Sequence, residues 1–128
     1  MSIVPADKYD LDSVKELSSI SDNELEPHIG DLFVWVQDIN WPVALPICKR
    51  LSKYRKSLSK PIVSVLNSND AIWKYNVITQ IVTELSDPIP EEIMDPIVRI
   101  INSPSESEKI EEVDLVANDI MVRYSNGI

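Results

Sequence analysis

Pro61-Ile-Val-Ser-Val-Leu-Asn-Ser68 returns 35 residues later as Pro96-Ile-Val-Arg-Ile-Ile-Asn-Ser103. Most positions are identical or exchange one aliphatic side chain for another, and Ser64 against Arg99 is the one change of character. A second echo, Asp38-Ile-Asn-Trp41 against Asp70-Ala-Ile-Trp73, recurs at 32 residues. Both spacings fall in the range of helical-hairpin arrays, in which each pair of helices has an apolar side that only a neighbouring pair can cover. The unit reads as a helix opening on Asp-x-x-Trp, a turn, and a second helix ending at Asn-Ser. Residues 38–68 make one unit and 70–103 the next. Segment 22–37 reads as the second helix of a preceding unit, 106–125 as the start of a following one, and 1–20 as an extension with a short helix.

Outside the echoes the same period holds. Val77, Ile78, Ile81, Val82 and Leu85 recur at three- and four-residue steps, as do Val113, Val116, Ala117, Ile120 and Met121; that places them along one side of a helix. No stretch alternates apolar and polar for long, and no Asn-Gly or Asp-Gly hairpin turn occurs. Breaks in the pattern predict helices over 11–19, capped by Asp10, then 22–37 opening at Ser21 or Asp22, 40–54, 57–68, 70–86, 90–102 and 106–125. Pro27 is tolerated only if its helix starts near Glu26, and Pro46 and Pro96 should each kink a helix or mark its true start. Ser103, Ser105 and Ser107 look like turn and cap residues.

The chain has 128 residues, of which 44% are apolar and 26% charged, so one domain with an ordinary core is expected. The apolar runs are far too short to span a bilayer. The opening MSIVPADKYD lacks a basic stretch followed by an apolar core, and Cys48 is the single cysteine, so the chain reads as cytoplasmic. Cys48 itself reads as a small buried hydrophobe.

The net charge of −9 is unevenly spread. Residues 1–38 carry −7 and residues 70–128 carry −8, while residues 39–69 carry +6 with no acid at all. Net acidity disfavours a general nucleic-acid binder, because the phosphate backbone repels such a molecule at long range. The basic stretch is a solvated helix face or, alternatively, an anion site at Lys49, Lys53 and Lys56. For nucleic acid it is poor in aromatic residues, with Tyr54 alone inside it.

The run Trp35-Val-Gln-Asp-Ile-Asn-Trp-Pro-Val-Ala44, followed by Asp70-Ala-Ile-Trp-Lys-Tyr75, resembles a family of small bacterial proteins of unknown function that share N-W-P and then D-x-x-W-K. The resemblance covers roughly residues 20–105. It implies HEAT-like repeats, so the fold expected is all-α: a right-handed stack of antiparallel helix pairs, an α-solenoid of about six or seven helices. It implies no activity. HEAT-like arrays mostly bind other proteins, a likeness of fold rather than of function.

The candidate partner-binding residues are Asp38, Asn40, Trp41, Asp70, Trp73 and Lys74. Each Asp stands just before a proposed helix, where its carboxylate can accept from the free N–H groups of the first turn. Both could also lie on one edge of the stack and form, with Asn40 and Lys74, a polar ridge for a partner. Paired carboxylates can do acid–base work, but that needs a shared pocket. Trp35, Trp41 and Trp73 either pack between helices or, if exposed, anchor a partner. One His and one Cys cannot make a zinc site at the usual spacings, so neither a metal nor a cofactor is expected. No phosphate-binding glycine loop, G-x-S-x-G or H-E-x-x-H occurs. The expected function is a non-catalytic protein-interaction module, such as a bacterial immunity or adaptor protein holding a basic partner. The alternative is a nucleic-acid or phosphate-ligand binder using residues 49–60.

Overall fold

The computed structural model describes residues 3–86 and 88–126. Among them every regular element is helical and no strand occurs. In chain order these are α1 (Leu11–Glu16), α2 (Asp22–Leu25), α3 (Ile29–Val34), α4 (Ala44–Ser52), α5 (Ser59–Leu66), α6 (Ala71–Gln80), α7 (Glu91–Asn102), α8 (Glu106–Ile110) and α9 (Val113–Asn126). Short 3₁₀ turns occupy Leu17–Ser19, Glu26–His28 and Val82–Glu84. No described helix is long and apolar enough to cross a membrane.

The starts of several helices follow from single side chains. Asp10 accepts from the Ser13 N–H at 3.2 Å and opens α1. Ser21 and Ser105 each form a reciprocal capping box with the Glu three residues on, Glu24 and Glu108, opening α2 and α8. Prolines act by position. Pro46 and Pro61 lie in the first turns of α4 and α5, where no intrahelical partner is lost. Pro96 sits inside α7, which stays one element from Glu91 to Asn102 despite the missing N–H.

The segments are more numerous and shorter than the six or seven helices expected. The predicted helix 22–37 breaks at Pro27 into α2, a 3₁₀ turn and α3. The predicted helix 40–54 begins only at Ala44, because residues 38–43 are spent in turns. Segment 70–86 divides at Ile81, the C-cap of α6, and continues as the 3₁₀ turn Val82–Glu84. Segment 106–125 breaks at Glu112, whose φ of 60° is left-handed and re-aims the chain between α8 and α9.

Packing contacts run from α3 to α5 to α7 and from α4 to α6 to α9, with α5 touching α6 and α7 touching α9. The two Pro-Ile-Val octapeptides share part of their burial pattern, although Pro61 stands in the first turn of α5 and Pro96 inside α7, and Leu66 is buried where Ile101 is half-buried. Ile62 and Ile97 are both fully buried, as are Val65 and Ile100, whereas Ser64 and Arg99 both face outward. Burying each such aliphatic side chain contributes about 2 kcal/mol. Polar ties then fix the helices against one another. Arg50 of α4 donates through Nε to the Leu17 carbonyl at 2.8 Å and through Nη2 to the Ile20 carbonyl at 3.2 Å. Arg123 of α9 donates to the carbonyls of Thr83 and Leu85. In both cases a cation neutralises carbonyls just past a helix end.

Candidate functional site

Asp70, Trp73, Lys74 and Asn76 belong to α6 or its cap, and their side chains serve the fold. Asp70 accepts from the Trp73 N–H at 3.0 Å and caps the helix. Trp73 Nε1 donates to the Phe33 carbonyl at 2.9 Å. Asn76 Nδ2 donates to the carbonyls of Val36 at 2.9 Å and Gln37 at 3.2 Å. Two side chains three residues apart on α6 therefore tie down the end of α3 and the turn that follows it, with the Phe33 carbonyl also accepting from the Val36 N–H at 3.0 Å.

Lys74 is turned inward, with 6% of its side chain exposed, and its Nζ lies 2.9 Å from Glu108 Oε2. The Glu108 carboxylate is fully buried. It also accepts from Arg99 Nη1 at 2.6 Å, from Arg99 Nη2 at 2.8 Å and from the Ser105 N–H at 2.7 Å. Burial works to raise its pKa, but it is outweighed by the hydrogen bonds from Arg99, Ser105 and Lys74, which hold the group down at about 2. Glu108 thus joins α6, α7 and α8 through one carboxylate. Sequence reasoning did not single out Glu108 or Arg99. The signals were present: Ser105-x-x-Glu108 is a capping box, and Arg99 is where the repeated octapeptide changes character.

Asp38, Asn40 and Trp41 lie in the turns between α3 and α4, in a setting unlike that of Asp70. Asp38 caps no helix; its Oδ1 accepts from the Asn40 N–H at 2.9 Å in a tight turn. Val43 stands at the N-cap of α4 without a side-chain bond. Trp41 packs edge-on against Trp35 with ring centroids 5.5 Å apart, leaving both rings half-buried. Asp38 does not line the hollow beside Asp70, whose walls are Gln37, Ser68, Asn69, Asp70, Ala71, Ile72, Trp73, Ser107 and Glu111.

That hollow, about 570 Å³, adjoins a smaller one of about 230 Å³ lined by Ile72, Tyr75, Ile110, Glu111 and Glu112. Ile72 and Ile110 are 51% and 69% exposed, so the surface where α6 meets α8 is apolar with acids around it. Ile72 and Tyr75 are three residues apart on α6 and share a side of the helix.

The predicted anion site is divided. Lys49 and Lys53 line a groove of about 480 Å³ between α1 and α4, together with Lys15, Arg50, Arg55 and Asp22 over Val14, Leu17 and Pro46. Lys56 lies outside it, bonded to Glu26 Oε2 at 2.8 Å and Asn23 Oδ1 at 2.6 Å. Cys48 is buried, which pushes its thiol up to about 12. Among the described residues no group of His, Cys, Asp and Glu is placed to hold a metal ion.

A family model described as Domain of unknown function (DUF5071) matches residues 3–121. The chain belongs to the DUF5071 family. The match takes in the whole helical array from the approach to α1 well into α9, and so includes the acid-rimmed face, the α1–α4 groove and the Glu108 network. No curated protein matches the chain in sequence.

Proposed function

We propose that this DUF5071 chain is a non-catalytic protein-interaction module, built as a HEAT-like stack of antiparallel helix pairs, that holds a basic amphipathic segment of another protein. The succession of contacts from α3 to α5 to α7 and from α4 to α6 to α9 supports the stacked reading. So does the shared burial of Ile62 with Ile97 and of Val65 with Ile100. The observation that carries the function is the face formed by Ile72, Tyr75 and Ile110, rimmed by Asp70, Glu111 and Glu112. Exposed apolar side chains with a polar rim are characteristic of docking surfaces. The single sign of the rim selects a cationic partner and speeds its encounter, since residues 70–128 carry −8 overall.

Of the residues singled out by sequence, Asp70 borders this face directly and Trp73 forms part of its wall. Lys74 acts from behind, through Glu108, by holding α8 against α6. An adaptor role in the cytoplasm fits this reading.

The test uses the full chain and an Ile110→Lys/Glu111→Lys variant, both exposed positions. A helical Lys/Leu amphipathic peptide should bind the parent saturably at low salt and weaken as salt is raised. The variant should bind it at least about tenfold more weakly, a loss of about 1.4 kcal/mol. Equal affinity for the two chains, or no binding at low salt, refutes the proposal.

A further inference from the structure

The groove between α1 and α4 has no part in the function proposed above, and its chemistry is the opposite. Lys15, Lys49, Arg50, Lys53 and Arg55 surround it, with Asp22 as the one acid in its wall. Asp22 is already engaged, accepting from Arg50 Nη2 at 2.8 Å and from the Arg55 N–H at 3.1 Å. Among the described residues Lys15, Lys49, Lys53 and Arg55 form no ion pair, as is also true of the scattered Lys8, Lys60 and Lys109, whereas Lys56, Lys74 and Arg99 each have a carboxylate partner. What sets these four apart, in a chain with 21 acids and 12 Lys and Arg, is that they gather around one hollow. Like charges gathered in a concavity repel one another and focus a positive field there.

Arg50 adds orientation. Its side chain is 11% exposed and its guanidinium is held through Nε and Nη2 by Leu17, Ile20 and Asp22. Its Nη1 makes no hydrogen bond among the described residues. A fixed guanidinium with a spare donor, beside flexible ammonium groups, suits a phosphate. Val14, Leu17 and Pro46 supply an apolar floor. The volume, about 480 Å³, is that of a small-molecule site. Nucleic acid is a poorer fit, because Tyr54, the aromatic residue of the basic stretch, is buried and offers no ring for a base to stack on.

We propose that the α1–α4 groove binds a phosphate-bearing small molecule with an apolar portion, the phosphate held by Lys49, Lys53 and Arg50 and the apolar portion resting on Val14, Leu17 and Pro46. The experiment is titration calorimetry of the full chain at low salt with adenosine 5′-monophosphate and with adenosine as probes. The monophosphate should bind saturably with one site, and adenosine should bind at least about tenfold more weakly. Lys49→Glu/Lys53→Glu should weaken the monophosphate at least about tenfold, and Lys56→Glu, outside the groove, should leave it within about twofold. Circular dichroism should show all variants folded, since these side chains are exposed. No saturable binding up to about 10 mM overturns the proposal. So does a loss in Lys56→Glu equal to that in the double variant, or adenosine binding as well as its monophosphate. The Ile110→Lys/Glu111→Lys variant should bind the monophosphate like the parent, so the two proposals fail separately.

Discussion

Replacing Glu108 with Gln preserves the shape of the side chain and removes the charge on which three helices converge. The carboxylate oxygens accept four hydrogen bonds: two from Arg99, one from Lys74 and one from the Ser105 N–H. Gln offers a single carbonyl oxygen, and its NH₂ group would face donors. If that oxygen takes the place of Oε1, Lys74 loses its partner; if it takes the place of Oε2, the Ser105 N–H does. The Arg99 side chain, 42% exposed, can turn to water, but Lys74, 6% exposed, cannot. Breaking one side of a buried ion pair costs about 3–5 kcal/mol, and the freedom of Arg99 places the expected loss near the lower end, about 3 kcal/mol. For a chain of this length that lowers Tm by about 10 °C. Urea unfolding followed by tryptophan fluorescence measures it. The double variant Lys74→Met/Glu108→Gln should be less destabilised than the sum of the two single variants by at least about 1 kcal/mol, because the stranded ammonium is removed as well. A pH series gives an independent check. Glu108 has a folded pKa of about 2, below its ordinary 4.5, so its contribution is fully present above about pH 4.5 and is lost as pH falls towards 2. The Gln variant should lose less stability across that window than the parent. A loss below about 1 kcal/mol at neutral pH, with parallel acid profiles, would refute the account of the network.

Asp70→Ala should cost about 1 kcal/mol through the lost cap of α6, and Asp38→Ala, which uncaps nothing, less than half of that; chemical denaturation of both variants decides it. Trp73→Phe should cost about 1 kcal/mol through the lost indole bond to the Phe33 carbonyl, which keeps its bond from the Val36 N–H, read in the same assay. Cys48, buried with its thiol raised to about 12, should resist a thiol reagent at neutral pH in the native chain and react readily in urea. Glu112→Gly should be neutral or stabilising by up to about 1 kcal/mol, because glycine adopts a φ near 60° without strain; a clear loss of stability would show that the Glu112 side chain matters.

The helical class, the α1 cap at Asp10 and the short-range role of Asp70 were legible in the residues alone, because apolar spacing, proline placement and capping act over a few positions along the chain. Tertiary structure decided what local chemistry leaves open. It made Asp38 a turn residue where Asp70 is a cap, and it broke the segment 106–125 at Glu112. It turned Lys74 from a candidate surface cation into the buried partner of Glu108, 34 residues away. It also separated Lys56 from Lys49 and Lys53 by offering it Glu26. A charge on a helix has several directions open to it, and the one it takes depends on which carboxylate or carbonyl a distant segment brings within hydrogen-bond reach.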